Sequence, residues 1–426
     1  MKNDINSNLP HIVIIGAGFG GLTAANHLKK CKNLRITLID KNNYHSFWPF
    51  LYQVATCDLS PSDIAIPVRS EFKAEDNVTV LMDKVINIQS HQKRINTENG
   101  LSLSYDYLII ATGSEVNFFG NENWKKHATS LKTINDALKI KTKILEIFEK
   151  AELENKALDQ EKNISFVIIG GGPTGVELAG SIEELVKQSF EFDFNNLKPE
   201  NTKIILIENA DRVLPSFQSE LSQVAQNALK AKNIELKLNS KVKNIENNKV
   251  ILENGEIIET NLIIWAAGIK ASNIKAMFEG GIETGKGDKV KVESDLSLKA
   301  NSEIFVIGDT SEVFDKKGNL LPGLAAVAKQ QGKFVAKVIL SKIKGEVKKH
   351  IFNYHDFGNL AIIGRYRAIA EFKYFKIHGT LAWIIWDIIH IYFLIGFRNR
   401  VIIFTKWMWN YITHERNERI IISKDD

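Results

Sequence analysis

The sequence predicts an α/β protein that contains two similar nucleotide-binding units, followed by an apolar helical segment. The first observation is the segment at 11–30, which has the order of a strand, a Gly-x-Gly-x-x-Gly turn and a helix. The second is a repeat of that order from residue 164 onward. The third is a change to aromatic, apolar sequence from residue 378. Strands that alternate with helices are typical of parallel sheets.

The composition is that of an ordinary globular protein. The 426 residues leave room for two or three domains, and 44% of them are hydrophobic. A net charge of +5 is too small for this length to indicate a nucleic-acid-binding protein. Cys31 and Cys57 form no C-x-x-C pair and no metal-ligand cluster, so we expect neither a thiol redox centre nor a metal site. The polar stretch MKNDINSNLP favours an intracellular protein without a secretory signal.

The first glycine motif has the properties of a pyrophosphate-binding turn. Gly16 permits the tight turn, Gly18 lets the backbone approach a pyrophosphate, and Gly21 lets the helix pack on the strand. The next strand ends in Asp40, which lies 19 residues after Gly21, near the offset expected for a carboxylate that binds a ribose hydroxyl. The residues predicted for this first site are Gly16, Gly18, Phe19, Gly20, Gly21, Asp40 and Lys41.

The second motif repeats this arrangement with a longer spacing. The following strand, at 203–208, ends in Glu208, 33 residues after Gly175, and the segment at 190–200 accounts for the extra length. A carboxylate here accepts both ribose hydroxyl protons and repels a 2′-phosphate, which favours NADH over NADPH. Arg212 is the one contrary sign, and we interpret it as a surface residue. The predicted residues of this site are Gly170, Gly172, Pro173, Thr174, Gly175 and Glu208.

Two nucleotide sites in one chain favour a flavin and a nicotinamide, between which hydride passes. Three later strands support this interpretation: 105–114 ends in Ala-Thr-Gly, 261–270 ends in Ala-Ala-Gly, and 302–313 contains Gly-Asp. In a flavin site, that aspartate binds the ribityl or pyrophosphate region. These segments add Thr112, Gly113 and Asp309 to the predicted flavin site, and Ala267 and Gly268 to the predicted NADH site. Val85 is also among the residues predicted for the flavin site.

In this order of motifs, residues 11–340 resemble the flavoproteins with two dinucleotide-binding domains, the pyridine nucleotide–disulfide reductase superfamily. The resemblance implies two Rossmann-type domains, the second inserted in the first. The FAD-binding domain would comprise 1–122 and 296–350, and the NADH-binding domain 123–295. A C-terminal membrane-associated region would follow at 351–426.

Within that superfamily, the chain resembles the type II NADH dehydrogenases, which are single-subunit NADH:quinone oxidoreductases. The resemblance lies in the stretches 44–69, 170–180 and 321–339, and the paired cysteines of the disulfide reductases are missing. It implies an FAD-dependent, non-proton-pumping enzyme that passes hydride from NADH to FAD and then two electrons to a membrane quinone. The alternatives are a soluble NADH-dependent ferredoxin or rubredoxin reductase and a flavin-binding redox sensor.

The same resemblance implies roles for individual residues. Glu177 would lie near the contact of nicotinamide and flavin and act in quinone reduction; the alternative is a glutamate of the first helical turn that the helix dipole stabilises. Ala325 and Ala326 would offer backbone amides to the pyrimidine edge of FAD, although many relatives have Gln at the position of Ala326. Gln330 is the second predicted catalytic residue. The predicted quinone-site residues are Ser46, which also belongs to the FAD site, Pro49, Leu51, Gln330 and Gln331.

The carboxyl-terminal segment has the composition of a membrane-surface element. Four of the seven tryptophans lie beyond residue 378. The apolar run 381–397 is short for a membrane span and contains Asp387 and His390. A second apolar helix is predicted at 401–412, and basic residues flank both. This pattern favours helices in the interface of a bilayer, with the protein peripheral (monotopic) at the cytoplasmic face of the cell membrane. The alternative is a homodimer interface, and both uses can coexist.

Overall fold

The computed structural model describes residues 9–158, 163–413 and 415–421. Residues 1–8 of the polar amino-terminal stretch, and His414 of the predicted basic flank, lie outside the described residues. No helix in the described ranges combines the length and the apolarity that crossing a membrane requires.

The elements follow one another in the alternating order that the sequence predicts. The helices are α1 Phe19–Leu28, α2 Leu51–Ala55, α3 Pro61–Ile64, α4 Val68–Glu71, α5 Ile134–Leu158, α6 Pro173–Leu185, α7 Glu191–Asp193, α8 Ser219–Ala231, α9 Ala325–Ile343, α10 Thr380–Phe393 and α11 Phe397–Thr413. The strands are β1 His11–Ile15, β2 Arg35–Asp40, β3 Tyr44–Ser46, β4 Ala65–Pro67, β5 Val78–Met82, β6 Val85–Gln89, β7 Arg94–Thr97, β8 Ser102–Ser104, β9 Tyr107–Ile110, β10 Ser114–Val116, β11 Thr129–Ser130, β12 Ile164–Ile169, β13 Thr202–Ile207, β14 Ile234–Lys237, β15 Val242–Glu246, β16 Lys249–Leu252, β17 Ile257–Glu259, β18 Leu262–Trp265, β19 Ile269–Ala271, β20 Val290–Lys291, β21 Ser297–Leu298, β22 Asn301–Val306, β23 Ser311–Glu312, β24 Asn359–Gly364, β25 Arg367–Glu371 and β26 Lys376–Gly379.

The first compact unit comprises the described residues up to Ser46, together with Ile66–Glu115 and Ile269–Asp356. Its main sheet has the order β21-β22-β9-β1-β2-β5. The five strands from β22 to β5 are parallel. Every residue of β1 is buried, as expected for a central strand that helices or loops cover on both faces. A three-stranded antiparallel sheet, β6-β7-β8, belongs to the same unit.

The second unit comprises Phe47–Ala65, Val116–Gly268 and the residues from Phe357 onward. Its parallel sheet has the order β11-β18-β12-β13-β14, and an antiparallel sheet, β15-β16-β17, accompanies it. Since this sequence lies largely between two segments of the first unit, the predicted fold class, with one Rossmann-type unit inserted in the other, is confirmed. The predicted domain boundaries remain predictions.

The carboxyl-terminal region contains more structure than the two predicted helices. A three-stranded antiparallel sheet, β24-β25-β26, precedes them and packs on α6. The apolar helices are α10 and α11, and the chain turns between them at Gly396, whose φ of 85° favours glycine. Helix α6 ends at Leu185, and its residues from Leu178 to Leu185 are all buried.

Candidate functional site: two nucleotide turns and a polar cavity

The first glycine turn leaves no room for side chains. Gly16 has φ 102°, and a Cβ atom there would lie 2.4 Å from the carbonyl oxygen of Ala111. At Gly21 it would lie 1.9 Å from the carbonyl oxygen of Gly16. Gly18, in contrast, faces open space and caps α1 without any side-chain hydrogen bond. The free amides at the start of α1 are therefore open to a phosphate.

Asp40 lies at the end of β2 beside this turn. Its carboxylate accepts hydrogen bonds from the backbone amides of Ala17, at 2.6 Å, and Asn42, at 2.7 Å. Burial raises the pKa of Asp40, while these two amides lower it. Both amides favour the charged form, and hydroxyl donors of a ribose would do the same.

The other predicted FAD residues lie in the same unit. The hydroxyl of Ser114 donates to the carboxylate of Asp309 at 2.5 Å. The hydroxyl of Thr310 donates to the carbonyl oxygen of Gly113 at 3.0 Å, so the Ala-Thr-Gly and Gly-Asp segments meet. Val85 is different, since its buried side chain packs in the hydrophobic core. Phe19, Gly20, Lys41, Ser46 and Thr112 belong to this unit as well.

Helix α9 begins at Ala325, the residue predicted to face the flavin. Its N-cap, Leu324, makes no side-chain hydrogen bond, and the first turn contains no acidic residue. The amides of Ala325 and Ala326 have no partner in the preceding turn because the helix begins with them. This helix end therefore provides donors and a positive partial charge.

The predicted quinone-site glutamines both bind backbone. Gln331 is 1% exposed, and its side-chain oxygen accepts from the amide of Gly308 at 2.5 Å. Gln330 donates to the carbonyl oxygen of His355 at 2.8 Å and accepts from its amide at 2.9 Å. These contacts hold the loop that carries Asp309 and the end of the unit. The remaining quinone-site residues are divided between the units, with Ser46 in the first and Pro49 and Leu51 in the second.

The second glycine turn repeats the geometry of the first. Gly170 has φ 112°, and a Cβ atom at Gly175 would lie 1.8 Å from the carbonyl oxygen of Gly170. Gly172 faces open space and caps α6 without a side-chain hydrogen bond, and Pro173 is the first residue of the helix. Pro173 and Thr174 are exposed. The turn therefore offers a second anion-binding helix end.

Glu208 lies at this turn as Asp40 does at the first. Its carboxylate accepts from the amides of Gly171, at 2.5 Å, and Ala210, at 2.8 Å. At Gly268, with φ 71°, a Cβ atom would lie 2.6 Å from the ring of Phe119, and Ala267 precedes it. Arg212 pairs with Asp211 at 3.7 Å.

Glu177 lies on α6 after the first turn, since the helix begins at Pro173 and has no acidic residue in its first turn. The dipole alternative therefore does not explain this residue. Glu177 lines a cavity of ≈ 60 Å³ inside the second unit. Burial raises its pKa to about 8, and the amide of Ile362 is its weak donor at 3.5 Å.

Two groups of polar residues escaped the sequence analysis. His45 is buried against the first turn, where its ring lies 2.8 Å from the carbonyl oxygen of Ala17 and 5.1 Å from the ring of Phe19. The cavity beside Glu177 also contains Asp387, which sequence analysis treated only as an obstacle to membrane insertion, and Tyr411. The sequence contains one indication of a role for Asp387, because an acidic residue is rare inside an apolar run.

The geometry of the two turns fits two dinucleotides. In each unit, a cradle that a Cβ atom would fill lies beside an uncapped helix end and a carboxylate that accepts backbone amides. The residues that would hold FAD are those of the first unit, and those that would hold NADH belong to the second. These assignments remain predictions for the individual residues.

Comparison with known proteins agrees with this class of fold and site. The family model described as pyridine nucleotide-disulphide oxidoreductase matches residues 10–332, and the model described as NDH2 C-terminal domain matches residues 357–414. The chain is 35% identical to the type II NADH:quinone oxidoreductase NdhA of Mycobacterium tuberculosis, and the match covers 97% of this chain and 89% of that protein. It is 28% identical to the type II NADH:quinone oxidoreductase of Haemophilus influenzae over 85% of this chain and 87% of that one. The chain therefore belongs to the type II NADH:quinone oxidoreductase family.

Solved structures share the fold. NDH2 from Plasmodium falciparum in complex with NADH has a TM-score of 0.87 at 21% identity, and the match covers 97% of this chain and 100% of that chain. The sulfide:quinone oxidoreductase from Aquifex aeolicus has a TM-score of 0.72 at 21% identity and covers 92% of both chains.

Proposed function

We propose that this protein is an FAD-dependent, non-proton-pumping NADH:quinone oxidoreductase that acts at a membrane surface. The observation that carries the proposal is the pair of uncapped glycine turns, each with its carboxylate, in a chain of this family. FAD supplies the chemistry: it accepts hydride from NADH and passes two electrons on to the quinone. Family membership supports this function over a ferredoxin reductase and over a redox sensor.

The protein's own residues bind and orient the two nucleotides. Asp40 and Glu208 hold the two ribose groups, and the starts of α1 and α6 hold the pyrophosphates. Since Glu208 places a carboxylate where NADPH carries its 2′-phosphate, NADH is the substrate. The amides of Ala325 and Ala326, at the uncapped start of α9, would donate hydrogen bonds to bound FAD.

Glu177 supplies a proton. The net reaction, NADH + H⁺ + quinone → NAD⁺ + quinol, takes up one proton per turnover. A carboxyl group whose pKa burial raises to about 8 is protonated at neutral pH and can give up that proton. Gln330, Gln331, Ser46, Pro49 and Leu51 remain the candidates for quinone contacts.

We place the protein peripherally on the cytoplasmic face of the cell membrane. An exposed apolar stripe on α10 and α11 supports this placement, since its residues recur every three or four positions and face outward together. Arg398 and Arg400 lie beside the stripe, as expected near anionic lipids. A homodimer that covers the same stripe is the second candidate. The stripe consists of Leu381, Ile384, Ile388, Tyr392, Phe397, Val401, Phe404, Met408 and Ile412.

The absorbance spectrum of the purified protein tests the proposed function. We expect the absorbance of a bound flavin, which NADH should bleach and a soluble quinone should restore. On denaturation the protein should release FAD rather than FMN. Restoration by ferredoxin but not by quinone would contradict the proposal. A flavin that NADH does not bleach would favour a sensor.

A further inference from the structure

The cavity beside Glu177 is small, and both polar and apolar side chains line it. Its volume of ≈ 60 Å³ corresponds to about two water molecules at the roughly 30 Å³ that each occupies in the liquid. Side chains of α2, α6, α10 and α11 line it, all within the second unit. Because the cavity has room for water beside Glu177 and Asp387, it can support proton transfer between these two acids.

Asp387 contributes a second acid to this cavity from α10. Its Oδ2 atom accepts a hydrogen bond from the hydroxyl of Tyr411 at 3.0 Å. Its Oδ1 atom is buried and has no hydrogen-bond partner among the described residues. A buried carboxylate is unfavourable when one of its oxygens accepts no hydrogen bond. This geometry therefore favours Asp387 as a protonated acid or as a carboxylate bound to water.

The other charged groups of the cavity are engaged with one another. Arg416 lies 3.3 Å from the carboxylate of Glu184 and 3.9 Å from that of Asp58. Lys232 lies 2.9 Å from Glu184. These contacts balance the charges of Asp58 and Glu184. In the described part of the chain, Glu177 and Asp387 are the cavity acids that no salt bridge includes.

In the described part of the chain, none of the remaining titratable groups near Asp387 forms a salt bridge with its carboxylate. The guanidinium of Arg365 lies over the ring of Tyr411, 5.3 Å from its centroid, and donates to the carbonyl oxygen of that residue. The hydroxyl of Tyr52 accepts a hydrogen bond from the side-chain amide of Gln53 at 2.9 Å. His390, one turn further on α10, has its pKa lowered to about 4 by burial and is neutral at pH 7.

The electrostatics agree with this geometry. Burial raises the pKa of Asp387 to about 7, the hydrogen bond from Tyr411 lowers it in part, and the charge of Asp58 raises it further. Burial raises the pKa of Glu177 to about 8. Proton transfer from Asp387 to an ionised Glu177 therefore runs from the stronger acid to the weaker one.

We propose that Asp387, positioned by Tyr411, is a proton reserve that reloads Glu177 through water in this cavity. The inference rests on the proposed function, in which Glu177 gives one proton to the quinol. Asp387 then loses its proton to the Glu177 carboxylate, and it regains one from solvent, so each turnover takes up one proton. Asp387 therefore acts only through Glu177, because it returns the proton that Glu177 has given away.

The test compares Asp387→Asn with the unaltered protein under two electron acceptors. Quinone needs a proton to become quinol, whereas ferricyanide takes up electrons alone. We expect the ratio of quinone turnover to ferricyanide turnover to fall roughly tenfold, part of the roughly 10²–10⁴ that a positioned acid contributes. The fall should appear in kcat rather than in KM for either substrate, and it should shrink as the pH rises above 7, because Asp387 of the unaltered protein then loses its own proton. Glu149→Gln, at an exposed site on α5, is the matched control and should leave the ratio unchanged.

Tyr411→Phe gives an independent reading, since it retains the Asp387 carboxyl and removes its donor. The loss of a hydrogen bond to the charged form raises the pKa of Asp387, so the alkaline fall in quinone turnover should move to higher pH. An unchanged profile in both variants would overturn the inference, as would an equal loss of quinone and ferricyanide turnover. If the unaltered protein reduces ferricyanide but no quinone, the proposed function fails instead.

Discussion

Glu208 shows how a single carboxylate can select between two coenzymes. Its two oxygens accept backbone amides at 2.5 and 2.8 Å, so its orientation at the turn is set before a nucleotide binds. Glu208→Gln removes the charge that repels a 2′-phosphate and weakens hydrogen bonds worth about 1.5–3 kcal/mol to a charged group. We expect kcat/KM for NADH to fall about tenfold and the preference over NADPH to narrow. Steady-state rates with both coenzymes measure this, with Glu149→Gln as the control. An unchanged preference would contradict the assignment.

Glu177 links stability to pH in a direction that can be measured. Its pKa is about 8 in the folded protein against an ordinary value of 4.5. Between these values the folded state binds the proton more tightly than the unfolded state, so the free energy of unfolding falls as pH rises through this window. Glu177→Gln removes this dependence. The stability of the variant relative to the unaltered protein should therefore increase from pH 5 to pH 8, as followed by thermal unfolding. A constant difference would show that Glu177 is ionised in the folded protein.

Single residues were predictable where their role depends on local sequence. The glycines of both turns and their carboxylates follow from spacing alone, because turn, helix start and strand end are neighbours along the chain. The partners of Glu184 and Asp387 could not be predicted, since Arg416 and Tyr411 lie far away in sequence. The hydrogen bonds of Gln330 and Gln331 to backbone atoms could not be predicted either, because the sequence around a helical glutamine does not indicate its partner.

At the level of elements, α10 and α11 combine a buried and an exposed apolar face. Trp383, Trp386 and Trp407 are buried, whereas Ile388 is 62% exposed and Phe397 is 80% exposed. The tryptophans that suggested a membrane helix therefore serve the core in part. Trp409, in contrast, is 54% exposed and lies on the outward side together with residues such as Ile388 and Phe397.

Polar substitution on that outward face should weaken membrane binding. Each inserted apolar side chain contributes about 1.5–3 kcal/mol when it is fully buried. We expect Ile388→Ser together with Phe397→Ser to lower vesicle binding by more than tenfold in a flotation assay, with NADH:ferricyanide turnover retained. Leu153→Ser, at a site 69% exposed on α5, is the matched control. If binding is unchanged and the protein instead shifts from dimer to monomer, the stripe is a subunit interface.

Helix α6 illustrates why an element's surroundings were harder to predict than its existence. The glycine pattern predicted its start but carried no information about the elements that cover it. In the structure, β24 covers this helix so closely that a Cβ atom at Gly180 would lie 1.9 Å from the carbonyl oxygen of Ile363. The glutamates are buried because Lys232 and Arg416 neutralise them there. Such pairing depends on the tertiary fold and leaves no periodic pattern.

On the scale of the whole molecule, the carboxyl-terminal residues are part of the second unit and not an appended anchor. Arg416 is 6% exposed and donates to the carbonyl oxygens of Thr56 and Ser181 at 2.9 and 3.1 Å, besides its acidic partners. Removal of the chain from 378 onward would take away the cation beside Asp58 and leave Glu184 with Lys232 alone. Surface substitutions are therefore the sounder test of membrane binding.

Arg416→Met should destabilise the second unit strongly. Breaking a buried ion pair by removing one partner costs about 3–5 kcal/mol. Arg419→Met is the matched control, because the pair of Arg419 with Asp193 is more exposed and should contribute about 1 kcal/mol or less. Denaturant-induced unfolding of the NADH-binding unit measures the free energy of unfolding of both variants. Equal effects of the two substitutions would contradict the structural role of Arg416.

The parallel pairing of β9 with β22 has a consequence for biogenesis. Ile110 lies beside Val306 in the first unit's sheet, so a ribosome must make the central segment of the second unit, Val116–Gly268, before that sheet can close. At about 5–20 residues per second, this interval lasts on the order of ten to forty seconds. During that time β9 exposes the edge that β22 covers in the finished sheet. The second unit waits in turn for Arg416. Neither unit can therefore finish folding on the ribosome as an independent early domain, and the nascent chain is a natural client for a chaperone that shields strand edges.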